Sequence, residues 1–177
     1  MKTLPRLLRL PFLLLLLPLA APAATPSPFD GRWQLDKTRS SALDGWQEWE
    51  LVISTNGTRV NLENNMKWGR TEFSATNVVD TAKSVTLPHF FRVEQRHMAL
   101  YPAKNESTPV RAAWLDAGRT LRIEADTPIE ISQGHAVMRI YREFRLIEGD
   151  REIQLIELHS SRSRPLVYRF TKITGEK

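Results

Sequence analysis

The chain contains no cysteine. That single absence removes disulfide scaffolds, thiolate metal sites and thiol nucleophiles together, and it leaves no residue for lipid acylation behind an export signal. No G-x-S-x-G, H-E-x-x-H or internal repeat occurs, and sustained helical periodicity is missing. Long apolar runs are equally scarce. The one present, Leu10 to Ala20, lies near the start of the chain.

That run has a cationic approach, Met1-Lys2 with Arg6 and Arg9, and is followed by the small-x-small triplet Ala21-Pro22-Ala23. The pattern predicts a secretory signal peptide over residues 1–23, too short and too proline-broken for a good membrane span. The mature chain then begins near Ala24, with a Pro-rich tether over residues 24–29 and one domain over residues 30–174. The leader takes Lys2, Arg6 and Arg9 and no acid with it. Basic residues therefore fall from 25 to 22 against 20 acidic ones, and the formal charge from +5 to +2. Interspersed charges of that balance do not mark a nucleic-acid binder. A short, cysteine-free exported chain is expected in the periplasm, with full secretion as the alternative, and without a membrane span in the mature protein.

After the tether almost every segment alternates with period two between short turn signals. Centring a two-residue turn on Asn56-Gly57 sets Ile53 opposite Val60 and Leu51 opposite Leu62, with Trp49 extending the apolar face. Ala117-Gly118 sets Trp114 against Leu121, Ala112 against Ile123 and Val110 against Ala125. On the other face Arg111 meets Glu124 and Asp116 meets Arg119. Gly149-Asp150 sets Leu146 against Ile153, Phe144 against Leu155, Arg142 against Glu157 and Ile140 against His159. Ile156 and Leu158 breach the outer face of that last hairpin, which points to a bulge or a second contact layer. Further strands are expected at Gly31–Asp36, Thr71–Val79, Phe91–Tyr101, Pro128–Ser132 and Leu166–Ile173, and one short helical turn within Ser40–Trp46. The fold class is all-β, an antiparallel up-and-down meander of about ten strands closing into a barrel. Densely charged alternate faces, scattered tryptophans and a polar C-terminus favour a soluble barrel over a membrane one.

The segment Phe29-Asp30-Gly31-Arg32-Trp33-Gln34-Leu35-Asp36 resembles the G-x-W opening of lipocalin-like (calycin) proteins, and the fuller F-x-G-x-W-x-L-D is similar to small exported bacterial members. The resemblance implies a barrel whose first-strand tryptophan, Trp33, closes the narrow end beside a basic residue of the last strand. Gly31 and Trp33 match the motif, and Arg169 is the expected basic partner. The resemblance also implies a small apolar or amphipathic ligand.

The residues themselves offer no catalytic set. His89 and His97, on one extended segment, stand about 26 Å apart at strand rise, and His135 and His159 fall out of alignment, so no metal site or cofactor is expected. His159-Ser160-Ser161 alternate faces and form no relay. The informative group is Arg142, Glu157 and His159, which the hairpin register places on one inward face among Ile140, Phe144, Leu146, Ile153 and Leu155. An ion pair and an imidazole there suit the polar end of a ligand. Trp46 and Trp68 fall near loops, where large rings line a pocket or a partner surface. The expected function is a non-catalytic, ligand-binding barrel of the cell envelope. The alternative is an envelope protein-binding module, an inhibitor or assembly factor, that uses an exposed patch around Trp46 and Trp68.

Overall fold

The computed structural model describes residues 26–41, 47–88, 90, 101–103 and 106–174. The expected leader and cleavage site, Trp46, His89, His97 and most of the strand expected at Phe91–Tyr101 lie outside them.

Eleven strands are present among the described residues: β1 (Gly31–Leu35), β2 (Glu48–Asn56), β3 (Arg59–Trp68), β4 (Thr71–Asp80), β5 (Val85–Leu87), β6 (Tyr101–Pro102), β7 (Thr108–Leu115), β8 (Thr120–Ile131), β9 (Gly134–Ile147), β10 (Glu152–His159) and β11 (Leu166–Lys172). They form one antiparallel sheet in the order β4-β3-β2-β1-β11-β10-β9-β8-β7-β5, with β6 beside β8. Neighbours in sequence are neighbours in space, and the first strand pairs with the last. β4 lies against β7 and β5 without a ladder, so the sheet curls into a nearly closed all-β barrel with its seam there.

Two hairpins adopt the expected register. Trp114 faces Leu121 and Val110 faces Ala125 across β7–β8, while Arg142 faces Glu157 and Ile140 faces His159 across β9–β10. The β9–β10 ladder runs unbroken from Glu152 to His159, so no bulge accompanies Ile156 and Leu158. Leu158 is simply exposed and Ile156 half-buried on the outer face.

The Asn56-Gly57 turn differs from expectation. Asn56 pairs with Arg59, and the two-residue turn is Gly57-Thr58, which sets Ile53 opposite Leu62 and Thr55 opposite Val60. Gly57 has φ +59° while Asn56 and Thr58 keep negative φ. A glycine with positive φ at the first central position marks a type II′ turn, whereas the Asn-Gly type I′ turn needs both central residues left-handed. The slip is an even number, so the buried face survives unchanged.

Three smaller differences have similar local causes. Asp116 accepts from the Thr120 hydroxyl at 2.7 Å rather than pairing with Arg119, because Asp116 and Ala117 both sit at φ +52°. Arg119 reaches Asp150 of the neighbouring turn at 2.8 Å instead. Pro128–Ser132 is no separate strand but the end of β8, where the Pro128 carbonyl accepts from the Ala103 amide at 2.9 Å. A helical turn that was not expected forms at Lys37–Arg39, where the Asp36 carboxylate accepts from the Thr38 and Arg39 amides, and most of the turn expected within Ser40–Trp46 lies outside the described residues.

Inward positions build a single core. Trp33, Leu51, Ile53, Val60, Leu121, Phe144, Ile153, Leu155 and Phe170 are all at or below 1% exposure. Each such aliphatic or aromatic side chain contributes roughly 1.5–3 kcal/mol by leaving water. Trp49 bridges this core edge-on to Tyr168 and Phe170, with ring centroids 5.1 and 5.0 Å away. The charged face points outward, the reverse of a lipid-facing barrel.

Candidate functional site

Three polar side chains break the apolar interior on adjacent strands. Arg142 of β9 faces Glu157 of β10, and His159 follows Glu157 by two residues and so shares its face. All three are buried, at 3%, 1% and 5% exposure. Arg142 Nε donates to Glu157 Oε2 at 2.5 Å, and His159 Nε2 lies 2.7 Å from Glu157 Oε1. The Phe90 ring stands 6.0 Å from the guanidinium carbon, completing an aromatic side to the group.

Burial by itself raises the Glu157 carboxyl pKa. The Arg142 charge, the His159 hydrogen bond and charge and the Arg142 hydrogen bond outweigh it and hold the carboxyl below its ordinary value. Glu157 is therefore a carboxylate, an acceptor only, and the His159 Nε2 must carry the proton of their bond. Arg142, Glu157 and His159 thus form one hydrogen-bonded polar set within the core.

Other buried inward polar groups escaped the sequence reading. Asn64 accepts from the Trp49 indole at 3.2 Å and donates to the Ala75 carbonyl at 3.5 Å. Asn77, Thr108 and Thr127 are likewise buried. The Thr127 hydroxyl has no hydrogen-bond partner among the described residues. It lies opposite Met138, one inward position beyond the Ala125–Ile140 pair that borders His159. Asn64 was visible in the alternation, since it stands two residues past Leu62 on the same face.

The opening motif has a concrete geometry. Trp33 is fully buried and its indole donates to the Phe29 carbonyl at 2.9 Å. The cation beside it is Lys172, not Arg169. Lys172 pairs with Trp33 across β1–β11, holds its ammonium 4.8 Å from the ring centroid and donates to the Pro28 carbonyl at 2.9 Å. Arg169 fails as the partner because β11 buries its even positions, Leu166, Tyr168 and Phe170. Arg169 points outward and lies 3.8 Å from Glu152. Gly31, at φ +133°, clears the lysine stem: a Cβ there would meet Lys172 Cε at 3.1 Å.

Of the two loop tryptophans, Trp46 lies outside the described residues. Trp68 ends β3, half-buried, and three strands separate β3 from β10 in the sheet. The structure thus brings together Arg142, Glu157 and His159 and does not bring Trp68 onto their strands. Among the described residues no three His, Asp or Glu side chains gather as metal ligands, and no helix is long and apolar enough to cross a membrane.

No family model matches the chain, and no curated protein matches it in sequence. Among solved structures it is similar to secretory abundant heat soluble protein 4 of Ramazzottius varieornatus, at 10% identity and a TM-score of 0.55, over 86% of this chain and 99% of that one. A second secretory abundant heat soluble protein of the same organism, crystallised from a dimer sample, gives 10% identity and a TM-score of 0.52 over 84% and 98%. The likeness bears on the fold alone and agrees with an all-β, antiparallel, nearly closed barrel.

Proposed function

We propose that the chain is exported by its N-terminal leader and serves in the cell envelope as a non-catalytic carrier or store for one small apolar or amphipathic ligand. The ligand's polar end meets Arg142, Glu157 and His159 inside the barrel. The observation that carries this reading is the burial of an ion pair and an imidazole on the inner face of β9 and β10, among Ile140, Phe144, Leu146, Ile153 and Leu155. Apolar replacements of such a pair are often neutral or stabilising, so its place in the core suits orientation of a guest better than stability. The Thr127 hydroxyl, buried in the same interior, adds a second polar point for a guest. The cationic start and apolar run of residues 1–23 support export.

Titration of the purified protein with an environment-sensitive apolar dye tests the reading. Saturable binding at one site, reversed by a lipid extract of the producing cells, is expected. Arg142→Met should weaken the displacing ligand by about 2 kcal/mol or more. Dye uptake that never saturates, or that the extract leaves untouched, removes the ligand role.

A further inference from the structure

β9 outruns its neighbour. It spans Gly134–Ile147, whereas β10 accompanies it only as far as the pair of His159 with Ile140. One step further Ser160 still closes the edge. Its amide donates to the Arg139 carbonyl at 2.9 Å, and the Arg139 amide donates to Ser160 Oγ at 3.1 Å. The chain then turns, with the Arg162 amide bonded to the His159 carbonyl at 3.0 Å. Gly134 to Met138 therefore stand beyond the end of β10. They pair with β8 on one side and, among the described residues, with no strand on the other. Five residues give about 17 Å of free edge at strand rise.

Backbone N–H and C=O groups alternate sides along a strand. Arg139 directs both of its groups toward the β10 side, so Val137 and His135 direct theirs to the same side, past the end of β10. The residue facing Val137 on β8 is Pro128, which has no amide to offer it. Folded proteins guard such an edge with lysine, proline or a bulge. Gly134-His135-Ala136-Val137-Met138 contains no Lys, Arg, Asp, Glu or Pro, and its ladder with β8 is unbroken. Val137 is 62% exposed, the most of any large apolar side chain among the described residues.

We propose that this edge pairs with the same edge of a second copy, antiparallel about a two-fold axis at Ala136, to form a weak dimer. The stretch complements itself in that register. His135 and Val137 exchange both backbone bonds with Val137 and His135 of the second copy, which satisfies every free group of the two edges. Gly134 of the second copy comes opposite Met138, where the Ser161 hydroxyl lies 3.6 Å from the Met138 sulfur, so a residue without a side chain sits beside the end of β10. On the outer face Val137 meets His135 of the second copy and Arg139 meets Gln133 of the second copy, so no like charges oppose each other. A five-residue pair covers less area than a stable interface needs, and association is therefore concentration-dependent. The inference goes beyond the ligand reading and does not rest on it.

Sedimentation of the purified chain from about 10 μM to about 1 mM, with amide hydrogen exchange at both ends of that range, tests the dimer. The mean mass should rise from one chain toward two. The His135 and Val137 amides should exchange at least about tenfold more slowly at the high concentration. Val137→Lys places a charge on an exposed side chain and should stay monomeric throughout with the native melting temperature; His135→Lys, likewise exposed, should do the same. A native chain that remains monomeric across the range overturns the proposal. It is overturned in the same way if an uncharged Thr-Val repeat peptide protects those amides in a monomeric chain, because the edge then takes a foreign strand. A dimer that leaves the His135 and Val137 amides unprotected, or that Val137→Lys retains, overturns its placement at this edge.

Discussion

Lys172 lies over Trp33. The ammonium stands 4.8 Å from the indole centroid and donates to the Pro28 carbonyl at 2.9 Å, so the last strand clamps the first and the tether together. Cation–π contacts of this kind contribute about 0.5–2 kcal/mol. Lys172→Met should therefore lower stability by about 1–2 kcal/mol in chemical denaturation, while Arg169→Met, on the outer face, should stay within about 0.5 kcal/mol. A larger loss for Arg169 than for Lys172 would contradict the assignment. Gly31→Ala should cost about 1–3 kcal/mol, from its positive φ and the lysine stem together.

The β2–β3 turn gives a second discriminating pair. Gly57→Val should destabilise the domain by about 1 kcal/mol or more, because a β-branched residue resists positive φ. Asn56→Ala should stay within about 0.5 kcal/mol, since Asn56 is a strand residue with ordinary φ. Comparable losses at both positions would restore the type I′ turn that the sequence favours.

That turn and the Lys172–Trp33 contact show how far the sequence could be read. The inward faces of β2, β3, β7, β8, β9 and β10 were legible because alternation alone decides them. The pairing of Arg142 with Glu157 followed from Gly149-Asp150 without help. What alternation cannot decide is a slip by an even number of residues, and the Asn56-Gly57 hairpin slipped that way. Arg169 was misplaced for a different reason. The resemblance calls for a basic residue on the last strand, but only the parity of Leu166, Tyr168 and Phe170 says which one points inward. Asn64 and Thr127 went unnoticed because isolated polar residues on an apolar face carry no motif.

Acid should weaken the native state through Glu157. Its folded pKa is held below the ordinary 4.5 by Arg142 and His159 against its burial, so its contribution is present above 4.5 and is lost as pH falls through the lower folded value. The stability of the native chain relative to the Arg142→Met/Glu157→Gln double variant should fall as pH drops below 4.5. Arg142→Met alone should cost about 3–5 kcal/mol at neutral pH, and the added Glu157→Gln should recover much of it, since the single change strands a buried carboxylate. Additive losses in that cycle would show that the two side chains do not act as a pair.

Export has its own readout. N-terminal sequencing of the protein recovered from outside the cytoplasm should begin at Ala24 or within a residue or two of it. A product that retains Leu10–Ala20 would contradict cleavage of the leader.

Occupancy of the barrel is the most direct measurement. Native mass spectrometry of the protein purified from its own cells, before and after organic extraction, should show one bound small molecule that extraction removes and that the Arg142→Met/Glu157→Gln protein lacks. A chain that carries no adduct and takes up none from the extract would contradict the account.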